Sequence, residues 1–195
     1  FFRKQSLQET HALFGRLGGV LCDADGRSIA TEVLEDGQVV RRANRPMLVV
    51  SSTSWTPDED FSVLLRALEL YSAAYTANSS AHPRLVVVVT GKGPMRDWYM
   101  RRVRSLDLRG VAVESVWLES GDYPRLLGSA DVGVSLHTST SGLDLPMKVV
   151  DMFGSSLPVL AHAFPALPEL VRHDQNGLIF QGHEQLAKQL LRLTA

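Results

Sequence analysis

From Pro46 onward, short continuous apolar runs alternate with longer segments whose apolar residues recur at helical spacing. Residues 47–51 read as a buried strand, and Leu85–Thr90, rich in valine, as a strand covered on both faces. Between them Phe61, Leu64, Leu65 and Leu68 stand at offsets of 3, 4 and 7, which puts them on one helical face. Thr56-Pro57-Asp58-Glu59 predicts the opening of that helix: a threonine cap, proline in the first position, and glutamate three residues after the cap. The same alternation predicts helices over 94–107, 123–129, 147–153, 165–172 and His183–Leu193. Strands are expected at Val111–Val116, 131–136, 158–161 and Gly177–Phe180.

Strands separated by helices imply right-handed crossovers, and so an α/β fold with a doubly wound, mostly parallel, Rossmann-like sheet. In such sheets ligands sit outside the carboxyl ends of the strands, which directs attention to the loops that follow them. The first 45 residues read differently. Leu7, His11, Phe14 and Leu17 keep a roughly helical rhythm, whereas residues 23–44 are rich in Gly, Asp and Arg without a sustained period. The expected division is therefore a linker or remnant over 1–45 and a regular domain over 46–195.

Composition narrows the function without naming it. With 45% apolar residues, 21% charged residues and a formal charge of −1, nothing points to nucleic acid or to an acidic or basic tail. The longest apolar runs, residues 47–50 and 85–89, fall far short of the ~20 residues of a membrane-spanning helix. A chain that opens Phe1-Phe2-Arg3 is expected to be part of something longer. The single cysteine, Cys22, has no internal partner, which fits a reducing compartment. Asn78-Ser79-Ser80 matches a glycosylation acceptor, a triplet common by chance.

Two loops could carry chemistry. Thr90-Gly91-Lys92-Gly93-Pro94 follows a strand and precedes a helix. Gly91 and Gly93 would let the backbone approach a diphosphate while Lys92 supplies charge, although Gly-Pro turns also end many strands with no ligand. It is neither a P-loop nor a GxGxxG fingerprint. The second loop runs from His137 to Asp151 and carries Ser139, Ser141 and Gly142 just ahead of a helix with Lys148 in its first turn. Hydroxyls, free amides and the ammonium suit phosphate oxygens, and Asp151, three residues past Lys148, could accept from both ribose hydroxyls. The plainer alternative is a Ser-rich cap with a solvated Lys–Asp pair.

Other signals weigh less. Asp23-Ala24-Asp25 has the form of a metal-holding triplet but lies in the irregular segment, and the six histidines show no metal-ligand spacing. Trp55, Trp98 and Trp117 could each offer a stacking face for a base, with Trp117 the best placed at a strand end, although core packing is the plainer reading. Asp58-Glu59-Asp60 reads as an acidic cluster suited to a helix N-terminus, with no catalytic role required.

The run Ser141-Gly142-Leu143-Asp144-Leu145-Pro146-Met147-Lys148-Val149-Val150-Asp151-Met152-Phe153-Gly154, with Leu157-Pro158-Val159 behind it, resembles the donor-binding signature of GT-B glycosyltransferases. More narrowly, it is similar to the mannosyltransferases that add the first mannose to dolichol-linked chitobiose. Ser51-Ser52-Thr53-Ser54-Trp55-Thr56, Thr90-Gly91-Lys92-Gly93-Pro94, Leu127-Gly128-Ser129-Ala130-Asp131 and Asn176-Gly177-Leu178 agree in order, so the resemblance spans about 46–180.

The resemblance implies one half of a GT-B fold that binds GDP-mannose as donor substrate, with no metal and no tightly bound cofactor. The reaction implied is inverting transfer to chitobiosyl-diphosphodolichol, on the cytosolic face of the endoplasmic reticulum membrane and beside other glycosyltransferases of the pathway. The acceptor-binding half, the catalytic base and the membrane anchor would lie in an N-terminal region outside this sequence. Residue by residue, Asp151 matches the second acidic position of a Glu-x7-Glu motif. The first falls on Leu143, with Asp144 one residue late. The Arg and Lys that clamp the diphosphate after the first strand in many relatives are replaced by residues 51–55, leaving Lys148 and Lys92 to supply charge. The alternatives are a catalytically inactive relative serving as a binding module and an enzyme for another donor.

Overall fold

The computed structural model describes residues 1–139 and 144–194. Its centre is a six-stranded parallel sheet, formed by β3 (Met47–Ser52), β4 (Leu85–Thr90), β5 (Val111–Val116), β6 (Val132–Ser135), β7 (Val159–His162) and β8 (Gly177–Phe180), in the order β5-β4-β3-β6-β7-β8. The chain steps outward from β3 to β5, then returns beside β3 as β6. The order therefore reverses between β3 and β6.

Both faces of the sheet are covered, which is why its strands read as unbroken apolar runs. On one face Val49, Val87, Val89, Val134 and Leu160 pack against α2 (Phe61–Ala77), α3 (Arg96–Ser105) and α6 (His183–Leu193), through residues such as Leu64, Leu68, Tyr99 and Leu186. On the other face Leu48, Val50, Val86, Val88 and Val159 meet α1 (Leu7–Leu17), α4 (Asp122–Ser129) and α5 (Met147–Gly154). Leu13 and Phe14 of α1 are buried in that second core, so part of residues 1–45 helps to form the domain interior.

The segment read as an irregular loop contains a hairpin, β1 (Thr31–Val33) paired antiparallel with β2 (Val39–Arg41). Each strand has three residues, too few for an alternation to register. α1 opens with a capping box in which Ser6 accepts from the Glu9 amide and Glu9 reaches back to the Ser6 amide. Its Arg16 guanidinium grips Asp122 of α4 in two hydrogen bonds of 2.7 and 2.6 Å. The Arg16 contact holds the Asp122 carboxyl below the usual carboxylate range.

Two helix predictions change. Helix α2 begins at Phe61 with Asp60 as its cap, accepting from the Ser62 amide, so Thr56 and Pro57 belong to the preceding loop. The helix expected over 165–172 contracts to a single 3-10 turn at Leu167–Glu169.

Candidate functional site

The strand order reverses between β3 and β6, the switch point at whose carboxyl ends doubly wound sheets carry their ligand crevice, and loops from the two halves of the sheet meet there. After β3 the chain turns sharply through Thr53, Ser54 and Trp55, with Trp55 at φ 52°. That conformation is rare for a bulky residue, and it is held by the Trp55 amide donating to Thr53 Oγ1 at 3.0 Å and by Trp55 Nε1 donating to the Gly91 carbonyl at 3.3 Å. The indole is 1% exposed and packs on Phe61 and Tyr99, so Trp55 offers no free face to a base.

The β4 loop lies directly against this turn. Gly91 has φ 125°, and a Cβ there would sit 1.9 Å from the Thr53 carbonyl oxygen. A Cβ on Gly93 would sit 1.8 Å from that of Ser54. Close approach is thus needed at both glycines, and in this structure the approaching group is the neighbouring loop's backbone. Lys92 is exposed, with its ammonium 3.8 Å above the ring of Trp117, which is itself 65% exposed just past β5. Trp98 is exposed on α3 and packs edge-on against Tyr99.

On the β6 side, Asp144 is held by two residues that precede it. His137 Nε2 lies 3.1 Å from one carboxylate oxygen, and the Ser139 hydroxyl donates to the other. Thr138 donates to the Asp58 carbonyl at 2.5 Å, tying the β6 loop to the β3 loop. Ser141 and Gly142, expected to contact a donor, and Leu143, at the first acidic position of the motif, lie outside the described residues.

Lys148 and Asp151 leave α5 toward different partners. The Lys148 ammonium pairs with Glu59 Oε1 and sits 3.3 Å from Ser54 Oγ. Asp151 lies beside Tyr123 of α4, and burial pushes its carboxyl above the ordinary value while the tyrosine hydroxyl pulls the other way. Tyr123 also accepts from Ser52 Oγ at 3.2 Å, and Ser52 accepts from Thr90 Oγ1 at 3.0 Å. A ladder of hydroxyls thus runs along the carboxyl edge of β4 and β3 to Asp151. Among the described residues Lys148 and Asp151 form no ion pair with each other, unlike the solvated pair considered from the sequence.

Glu59, expected from the sequence to be a helix-opening acid, stands elsewhere. It is 3% exposed, and its Oε2 accepts from Thr53 Oγ1 at 2.8 Å and from the Ser54 amide. It does not serve a helix N-terminus, because α2 starts later, at Phe61. Tyr123 was missed, since only the fold brings it beside Asp151. The Asp23-Ala24-Asp25 triplet is a turn in which Asp23 Oδ1 accepts from the amides of Asp25 and Arg27 at 3.1 and 2.9 Å. No group of three or more His, Cys, Asp or Glu among the described residues is arranged to hold a metal ion.

Residues 45–195 match the family model described as Glycosyl transferases group 1. The chain belongs to that family. Among its relatives, the chitobiosyldiphosphodolichol beta-mannosyltransferase of Homo sapiens is 48% identical over 204 residues, covering 99% of this chain and 44% of that protein. The UDP-glycosyltransferase TURAN of Arabidopsis thaliana is 44% identical over 219 residues, covering 99% of this chain and 47% of its own length. This group 1 glycosyltransferase chain therefore spans less than half the length of both.

Among solved structures, Anabaena HepE in complex with UDP and glucose superposes with a TM-score of 0.62 at 18% identity, over 97% of this chain and 43% of that one. The catalytic domain of the cholesterol-alpha-glucosyltransferase of Helicobacter pylori gives 0.54 at 14% identity, over 75% of this chain and 85% of that one. At these identities the likeness establishes the shared GT-B half-fold.

Proposed function

We propose that this chain is the donor-binding part of a beta-mannosyltransferase that moves mannose from GDP-mannose to chitobiosyl-diphosphodolichol during synthesis of the N-glycan precursor. The observation that carries the reading is that α5 brings two groups to the β3–β6 crevice, the Lys148 ammonium held against Glu59 and, one turn later, the Asp151 carboxylate beside Tyr123. The name of the human relative, at 48% identity over 99% of this chain, supports mannose as the sugar and dolichol-linked chitobiose as the acceptor.

In this reading the nucleotide diphosphate lies at the carboxyl end of β3. The Lys148 ammonium faces the phosphates, and the loop of Gly91, Lys92 and Gly93 flanks them. Asp151 accepts from the ribose hydroxyls, while Ser139 and Asp144 face the sugar side; Ser141 and Gly142 are assigned to donor binding by the resemblance of their motif alone. The acceptor hydroxyl oxygen attacks the anomeric carbon of mannose as the bond to GDP breaks, which inverts the configuration. The electron pair leaves with the β-phosphate, where cationic and N–H groups stabilise the developing charge. A general base takes the acceptor proton, and we assign it to a part of the enzyme beyond this chain. We assign the reaction to the cytosolic face of the endoplasmic reticulum membrane, a reading the dolichol-linked acceptor in the human relative's name supports; none of the described helices is long and apolar enough to cross a bilayer.

The name of the Arabidopsis relative favours a second donor reading, a UDP-sugar. Calorimetric titration of the chain with GDP-mannose, GDP and UDP, with and without magnesium, separates the two. Saturable binding that prefers GDP, and does not need magnesium, is expected. A preference for UDP would move the assignment to the second reading. Binding of none of the three would favour a non-catalytic interaction module or a site that forms only together with the rest of the enzyme.

A further inference from the structure

We infer that Glu59 is a positioning residue that holds the Lys148 ammonium at the carboxyl end of β3 as counter-charge for the donor diphosphate. The inference rests on the nucleotide-binding reading above. It gives a role at the site to a residue that the sequence pattern marks only as a helix-opening acid.

Glu59 belongs to the loop between β3 and α2, in the half of the sheet that steps outward. Lys148 belongs to α5, between β6 and β7 in the returning half. Their ion pair therefore spans the crevice. Glu59 is immobilised from its own side, because one oxygen already accepts from Thr53 Oγ1 and from the Ser54 amide. The other oxygen is left for Lys148. A carboxylate this deeply buried is costly unless it is paired and hydrogen-bonded, so the ammonium is strongly drawn to one place.

Lysine is otherwise a long, freely rotating point charge, and pinning it in advance removes the entropy of ordering it on a ligand. Glu59 and Ser54 Oγ occupy two of the ammonium's three N–H donors. The third remains for a phosphate oxygen, and the Lys148 side chain keeps 30% exposure for access. The β3 loop itself carries no cation between Ser51 and Trp55. The pair thus brings to that loop, from across the crevice, a charge its own sequence lacks.

A merely structural ion pair would alter stability alone, whereas a positioning pair also alters how well the diphosphate is distinguished from its nucleoside. The test compares GDP and guanosine affinities by calorimetry in the full chain, with melting temperatures recorded alongside. Glu59→Gln keeps the shape and removes the charge, and it is expected to lower the GDP-to-guanosine affinity ratio roughly tenfold while guanosine affinity holds. Lys148→Met should lower the ratio by a similar factor. The double variant should be no worse than Lys148→Met alone, and more stable than it, since no unpaired carboxylate stays buried.

Glu59→Asp keeps the charge but withdraws it by one methylene. Its ratio should also fall, which covers the case in which Glu59→Gln does not fold. An unchanged or increased ratio in Glu59→Gln or Glu59→Asp, with Lys148→Met still lowering it, overturns the role of Glu59 and leaves the nucleotide site standing. Wild-type protein that fails to prefer GDP over guanosine overturns the nucleotide reading and this inference together.

Discussion

At Asp151, burial beside Tyr123 raises the carboxyl's pKa, so the fold favours its protonated form. The sign follows directly: above that raised pKa the folded chain bears the cost of a charged group held partly out of water, and the cost disappears as the pH falls through it. Asp151→Asn should therefore leave the melting temperature at neutral pH unchanged or raise it, while GDP affinity falls at least several-fold as a ribose acceptor is lost. Thermal melts and calorimetry on the same preparation check both halves. Gly91 gives the opposite pattern. At φ 125°, and with the Thr53 carbonyl where a Cβ would stand, Gly91→Ala should cost about 1–3 kcal/mol from backbone strain alone, read by urea denaturation without any ligand. Lys92→Ala should cost about 1 kcal/mol or less, because its contact with Trp117 is exposed. The sequence suggested which of these residues surround a crevice, but not what each touches. Gly91 and Gly93 stood out as sites of close approach, yet the approaching groups are the Thr53 and Ser54 carbonyls. Glu59 looked like a helix-opening acid, and only the turn at Trp55, with φ above zero, puts it inside the protein under Lys148.

At the scale of elements, the parallel strands could be read from the sequence because each is buried on both faces, and the valines of β4 need no partner to announce it. The N-terminal segment was harder. α1 buries only Thr10, Leu13 and Phe14 of its eleven residues, a narrow stripe that identifies no partner until α4 is placed beside it. The 3-10 turn at Leu167–Glu169 was overread as a full helix because Leu167, Leu170 and Val171 have helical spacing, whereas the chain there only needs to plug the second core. Two measurements test whether α1 belongs to the domain. Phe14, with no exposed surface, should cost about 3–5 kcal/mol on substitution by Ala, as a core phenylalanine does and a linker residue does not. The Arg16–Asp122 contact should make stability pH-dependent on the acid side. Asp122 has a depressed folded-state pKa, so its contribution is full above the ordinary aspartate value of 3.8 and is lost as pH falls through the lower folded value. Melting curves of the wild type and Arg16→Met should therefore differ at neutral pH and converge in acid.

For the whole molecule, the sheet is two half-sheets that meet where β3 lies beside β6, and among the described residues the contacts across their carboxyl ends include Lys148 to Glu59, Lys148 to Ser54, Thr138 to the Asp58 carbonyl, and Ser51 Oγ to the Val134 carbonyl. A diphosphate bound there, as proposed, would touch both halves at once and stabilise the folded state by mass action, by about 2.7 kcal/mol at a ligand concentration a hundred times its Kd. That stabilisation should not be uniform. Amide hydrogen exchange reports local opening, and the loops that form a ligand site are drawn from the least stable parts of a fold. On addition of GDP, exchange should slow most at Ser54 and Trp55, whose amides donate to Glu59 and Thr53, and along the first turn of α5 around Lys148. The hairpin of Thr31–Val33 and Val39–Arg41 forms a separate two-stranded sheet and should exchange at the same rate with and without nucleotide. Slowing confined to the crevice would locate the ligand at the meeting of the two half-sheets. Equal slowing in the hairpin would mean that the nucleotide acts only through global stability, and slowing elsewhere would place its site on another part of the surface.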